Sequence, residues 1–171
     1  MQCAVHCAQL HMSNIRILLM ALSLVLIFRL YFSAHWCPPC RRFTPLLAAA
    51  YKAHTECIAA ENNKEGEDEG DTDDAIEVDE IEVIFISSDS VWTQYNHYRS
   101  SMPWLSVPFS NLHSLKIKDE LSSKYGVRGI PTLIVLDGKT GEVVTKNGRG
   151  EYANYFRGEY SSGPLSGCVV S

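Results

Sequence analysis

Leu26-Ile27-Phe28-Arg29-Leu30-Tyr31-Phe32-Ser33, followed by Ala34-His35-Trp36-Cys37-Pro38-Pro39-Cys40, is the stretch on which the fold turns. Its first eight residues are an apolar, aromatic-rich run of strand length, the pattern of a strand covered on both faces. A Cys-x-x-Cys pair directly after such a strand, at the start of a helix, is a redox arrangement in a βαβ setting. The helix is legible in the spacing: Cys40, Phe43, Leu47, Ala50, His54 and Cys57 step by three or four residues and share one face of a segment reaching about Ala60. Pro38 and Pro39 fit a first helical turn, whereas Pro45 lies inside the helix, where a kink is expected.

That placement gives the two cysteines different roles. Unpaired backbone N–H groups and the positive end of the helix dipole favour a thiolate on Cys37, drawing its pKa from about 8.5 toward 7 or below. Cys37 is therefore expected to attack a substrate disulfide, and Cys40, one turn on and facing the apolar side, to resolve the mixed disulfide. Zinc is the main rival, because Cys37-x2-Cys40 and His54-x2-Cys57 imitate a four-ligand spacing. On a helix, however, Cys40 and His54 stand 14 residues apart, roughly 21 Å along the axis. No metal is expected, and His54 and Cys57 are read as core residues on the apolar stripe. Cys3 and Cys7 are read as free thiols.

Working outward, the 171-residue chain is 46% apolar and 20% charged, which excludes collagenous and wholly disordered classes; its six cysteines are too few for a cystine framework. The net charge of −5 hides a division. Residues 61–82 hold twelve acidic residues and one lysine, a net −11, so the remainder is near +6. Residues 61–80 read as an acidic, solvated, disordered insert. Its removal is expected to leave fold and disulfide reduction intact. Residues 1–25 are a poorly defined hydrophobic segment; the run Ile17–Phe28 is too short to span a bilayer, which takes about 20 apolar residues.

Beyond the insert, Ile81–Ser87 reads as a buried strand, residues 90–100 as a helix, and 102–109 as an irregular apolar segment. Leu112, Leu115, Leu121 and Tyr125 mark a further helix ended by Gly126. Pro131–Leu136, a turn over residues 137–141, and Glu142–Lys146 form a hairpin. Strands alternating with helices give an α/β domain over residues 26–157, parallel in its centre with an antiparallel edge, and a flexible tail over residues 158–171.

Three motifs then carry a likeness: Tyr31-Phe32-Ser33-Ala34-His35-Trp36-Cys37-Pro38-Pro39-Cys40-Arg41, Met102-Pro103-Trp104-Leu105-Ser106-Val107-Pro108-Phe109, and Gly129-Ile130-Pro131-Thr132-Leu133-Ile134. From about residue 26 to 149 the chain resembles the tryparedoxin and nucleoredoxin branch of the thioredoxin superfamily. The resemblance implies a thioredoxin-like fold, a central mixed sheet flanked by helices. It makes Ile130-Pro131 a cis bond facing the cysteine pair, with Trp36, Pro38, Pro39, Ile130 and Pro131 shaping a substrate groove. Tyr31 stands where ordinary thioredoxins carry a buried Asp. The implied activity is reduction of protein disulfides, such as those of peroxiredoxins, with no cofactor beyond an electron donor, either a reductase or a low-molecular-weight dithiol such as trypanothione. Arg128 stands where tryparedoxins commonly carry an acid and would repel a cationic polyamine donor; Ser88-Asp89 stands where they have Trp-Asp.

The alternative from another class is a redox-regulated binding module, in which the cysteine pair switches partner affinity. The chain ends Cys168-Val169-Val170-Ser171, a C-a-a-X pattern that would direct farnesylation of Cys168. A cytoplasmic protein, weakly membrane-associated through that lipid and without nucleic-acid partners, is the resulting expectation.

Overall fold

The computed structural model describes residues 27–62, 81–109 and 113–156. The readings made of residues 1–25, of most of the acidic insert, of Leu112 and of the tail with Cys168 lie outside the described residues. Five strands, β1 (Ile27–Ser33), β2 (Ile81–Ser87), β3 (Leu105–Ser106), β4 (Thr132–Asp137) and β5 (Val143–Thr145), form one sheet in the order β3-β2-β1-β4-β5. Four helices accompany them among the described residues: α1 (Pro38–Asn62), α2 (Trp92–Arg99), α3 (His113–Tyr125) and α4 (Gly148–Phe156).

The sheet is mixed about its central strand. β1 runs parallel to β2 and antiparallel to β4, so Tyr31 stands between Phe85 and Leu133. Antiparallel pairing thus reaches the centre instead of being confined to the edge. The period-two alternation of β1 divides the core into two layers. Phe28, Leu30 and Phe32 pack with Ile84, Ile86, Ile134 and Leu136 against Leu121 and Tyr125 of α3. On the opposite face Tyr31, Val83, Phe85 and Leu133 pack against Phe43 and Leu47 of α1 and Tyr95 and Tyr98 of α2. Arg29, also wholly buried, shares the Tyr31 side of the strand.

Most elements fall where the sequence places them, and the departures have physical causes. Leu115 is exposed, because the inward stripe of α3 is Ile117, Leu121 and Tyr125, each four residues from the next. Gly126 ends that helix at φ +69°, with Gly126 N–H on Ser123 O and Val127 N–H on Ser122 O, the hydrogen bonding of a Schellman cap. α1 runs through Asn62, two residues into the segment read as insert, and carries Pro45 inside it. The apolar contact of α1 does not last its length. His54 and Cys57 are only half-buried, not core residues, and Cys57 is not a free thiol. Two elements were not expected: the short strand β3 within the irregular segment, and α4, whose Tyr152 meets the Phe43 ring edge to face at 5.3 Å.

Candidate active site

β1 ends at Ser33, and after four residues α1 begins at Pro38, so Cys37 stands immediately before the first helical turn and Cys40 within it. The two are joined by a disulfide with a Cα–Cα distance of 5.2 Å. Both are buried: Cys40 is fully enclosed and Cys37 is 3% exposed. The Cys40 backbone N–H donates to Cys37 Sγ at 3.3 Å, and Arg41 N–H donates to Cys37 O at 3.1 Å. The pair is thus seated on the free amides of a helix N-terminus.

The bond between Ile130 and Pro131 is cis. Ile130 O lies 3.9 Å from Cys37 Sγ, and the Ile130 side chain packs on Ala34, Cys37 and Cys40. The sequence-predicted residues Cys37, Cys40, Ile130 and Pro131 are therefore brought together. Trp36 sits on the rim, 55% exposed, its indole N–H donating to Ser88 O at 3.3 Å. Pro38 is exposed and Pro39 half-buried at the start of α1. His54 and Cys57 are not part of this site: α1 is one continuous helix, which holds Cys40 and His54 roughly 21 Å apart along its axis.

Two supports of the site were not foreseen. Asp89, after β2, is buried, and its carboxylate accepts the His35 backbone N–H at 2.9 and 3.2 Å and the Ser87 hydroxyl at 2.9 Å. It ties the loop carrying Trp36 and Cys37 to the end of β2. Beneath Cys40 lies a chain of hydroxyls. Thr44 Oγ1 donates to Cys40 O at 3.0 Å and is joined to Tyr31 OH at 2.8 Å and to Tyr98 OH, which meets Ser33 Oγ at 2.9 Å. Burial pushes the Tyr31 phenol above its ordinary value, so it stays a neutral hydroxyl. Where ordinary thioredoxins carry a buried carboxyl, this chain thus has an uncharged network. Thr44 could have been found from its four-residue spacing to Cys40; Tyr98, 54 residues from Thr44, had no local signal.

A Cys-x-x-Cys disulfide at a helix start, beside a cis-proline that leads into a strand of a mixed five-stranded sheet, defines a thioredoxin-family redox protein. The chain belongs to the thioredoxin-like family, whose model matches residues 27–143. Its similarity is to nucleoredoxin and tryparedoxin. It is 40% identical over 124 residues to nucleoredoxin of Mus musculus, covering 72% of this chain and 23% of that protein. It is 37% identical over 120 residues to tryparedoxin of Trypanosoma brucei brucei, covering 70% of this chain and 67% of the other. Among solved structures, tryparedoxin I from Leishmania major superposes with a TM-score of 0.60 at 36% identity, over 80% of this chain and 79% of that one. The chain spans between 16% and 24% of the length of the nucleoredoxins compared with it.

Proposed function

We propose that this chain is a thiol–disulfide oxidoreductase that reduces protein disulfides, with peroxiredoxins among its targets. The observation that carries the reading is the Cys37–Cys40 disulfide beside the cis Ile130-Pro131 bond, with Ile130 O 3.9 Å from Cys37 Sγ. In the reduced protein, the Cys40 N–H aimed at Cys37 Sγ supports a thiolate on Cys37. That thiolate attacks one sulfur of the substrate disulfide. The Cys37–substrate S–S bond forms, the substrate S–S bond breaks, and the leaving sulfur takes a proton from water. Cys40, deprotonated, then attacks Cys37 Sγ, closing the Cys37–Cys40 disulfide and releasing the second substrate sulfur as a thiol. Two electrons pass from the protein dithiol to the substrate, and an external dithiol or a reductase restores them.

The asymmetry of the pair supports this division of labour: Cys37 keeps a small opening to the surface and lies beside Ile130 O, whereas Cys40 has no exposure at all. Trp36 and the Ile130-Pro131 backbone form the surface on which an extended substrate segment lies. Arg128 is exposed two residues before Ile130 and disfavours a donor with a cationic polyamine link, such as trypanothione, relative to glutathione or a reductase.

Reduction of insulin disulfides with dithiothreitol as donor tests the reading. Turnover is expected in the wild type and abolished in Cys37→Ser, while Cys40→Ser accumulates a mixed disulfide on Cys37. A Cys37–Cys40 disulfide that forms and is reduced without any turnover would instead favour a redox-switched binding module. Faster recycling by trypanothione than by glutathione or thioredoxin reductase would overturn the charge argument about Arg128.

A further inference from the structure

We infer that the surface around Cys37 selects protein disulfides flanked by acidic residues. This rests on the oxidoreductase reading above and names the substrate class of the same site. Three segments meet at the disulfide: Ala34–Arg42, Ser87–Trp92 and Gly126–Thr132. Their convergence is fixed by the approach of Ile130 O to Cys37 Sγ, the hydrogen bond from the Trp36 indole to Ser88 O, and the bond from His35 N–H to Asp89.

The charge on these segments is one-sided. Arg41, Arg42 and Arg128 are exposed, and none of them makes an ion pair among the described residues. The single carboxylate of the three segments, Asp89, is buried, with both oxygens committed to His35 N–H and Ser87 Oγ. It is turned into the scaffold and is not offered to a ligand. Elsewhere the pattern differs: the exposed Asp119 and Glu120 of α3 each have a lysine within 4 Å.

The distances bring these cations within reach of a bound chain. Arg41 follows Cys40 directly and its N–H bonds Cys37 O. Arg128 is two residues from Ile130, a span of at most about 7 Å of backbone. A guanidinium presents a planar fork that pairs with carboxylates through two hydrogen bonds. Opposite unit charges about 7 Å apart in water change an equilibrium about threefold. Two or three such pairs therefore give a preference of about tenfold, and one that salt should erase. Exposed Trp36, next to Cys37, adds apolar surface without changing this sign.

The test uses the full chain and two peptides of equal length, each with one intramolecular disulfide, flanked either by Asp and Glu or by Lys; hydroxyethyl disulfide serves as an uncharged reference. The kcat/KM ratio of acidic to basic peptide is the readout, because changes in Cys37 chemistry cancel in it. Relative to uncharged flanks, acidic ones gain about tenfold and basic ones lose about as much, so the expected ratio is about a hundred at low ionic strength and near one at high salt. In the double variant Arg41→Glu, Arg128→Glu the ratio falls below one, while Lys139→Glu in the β4–β5 turn leaves it unchanged. Equal turnover of both peptides overturns the inference and leaves the oxidoreductase reading standing. Absence of turnover with hydroxyethyl disulfide and both peptides overturns both. Reduction of glutathione disulfide as fast as the acidic peptide also overturns it, since the surface would then read carboxylates without reading a polypeptide.

Discussion

The buried carboxylate of Asp89 accepts the His35 backbone N–H through both of its oxygens, at 2.9 and 3.2 Å, although 54 residues separate the two in the chain. The same carboxylate takes the Ser87 hydroxyl, and Ser87 Oγ in turn accepts the Asp89 N–H. Removing the carboxylate strands a partly buried amide just before Trp36-Cys37. Asp89→Ala is expected to cost about 2 kcal/mol of stability in urea unfolding of the oxidised protein. Asp89→Asn, which keeps one acceptor, should cost less. An alanine variant within about 0.5 kcal/mol of the wild type, the range of ordinary surface substitutions, would show that the tie holds nothing.

Tyr31 sets a pH dependence at the alkaline end. Its phenol is neutral in both folded and unfolded chains below the ordinary value near 10, and burial raises it in the folded protein. Above pH 10 the unfolded state therefore releases a proton that the folded state keeps, so stability falls as pH rises. The loss from this one group approaches about 1.4 kcal/mol per pH unit. Tyr31→Phe removes it while also breaking the bond to Thr44. The variant should be less stable than the wild type at pH 8, with a gap that narrows as pH rises above 10. Urea melts across that range check this, and a gap that stays constant would refute it.

Trp36 separates docking from folding. Its ring is more than half exposed and its indole N–H donates to a main-chain carbonyl. Trp36→Ala should therefore shift stability by no more than about 0.5 kcal/mol. KM for insulin should rise severalfold, with kcat for hydroxyethyl disulfide nearly unchanged. A large stability loss in the variant would place the ring in the fold instead of on the rim.

What the sequence made legible was whatever repeats at a local period. The strand read at residues 26–33 follows from a continuous apolar run, the face of α1 from Cys40 to Leu47 from spacing, the end of α3 from Gly126, and the cysteine pair from its place between a strand and a helix. The cis bond at Pro131 and its position opposite Cys37 came through resemblance, not through any local rule. The unread parts depend on distant contacts. Leu115 looks like a stripe residue until Ile117 is seen to take the inward position. The antiparallel seam between β1 and β4 is a pairing across about a hundred residues. Asp89 and Tyr98 act on the site from the turn after β2 and from α2, and nothing in their own neighbourhoods points there. α4 was hidden by Gly148 and Gly150, which locally argue for a turn.

Gly148 is where that tertiary requirement can be measured. A Cβ at this position would stand 2.7 Å from Leu133 O and 3.2 Å from side-chain carbons of Leu133 and Val135. The obstacle is main chain of a central strand, which cannot turn aside as a flexible side chain would. Helix propensity alone would make alanine the better residue by about 1 kcal/mol. The close approach should reverse that sign, as overpacking costs about 1–3 kcal/mol. Gly148→Ala is thus expected to destabilise the domain in urea unfolding and to loosen α4, read as faster hydrogen exchange of its amides. Gly129→Ala is the comparison, since a Cβ there meets nothing within 4 Å, and its stability should match the wild type within about 0.5 kcal/mol. If Gly148→Ala were stabilising instead, the packing of α4 on β4 would not be what holds a glycine at the start of that helix.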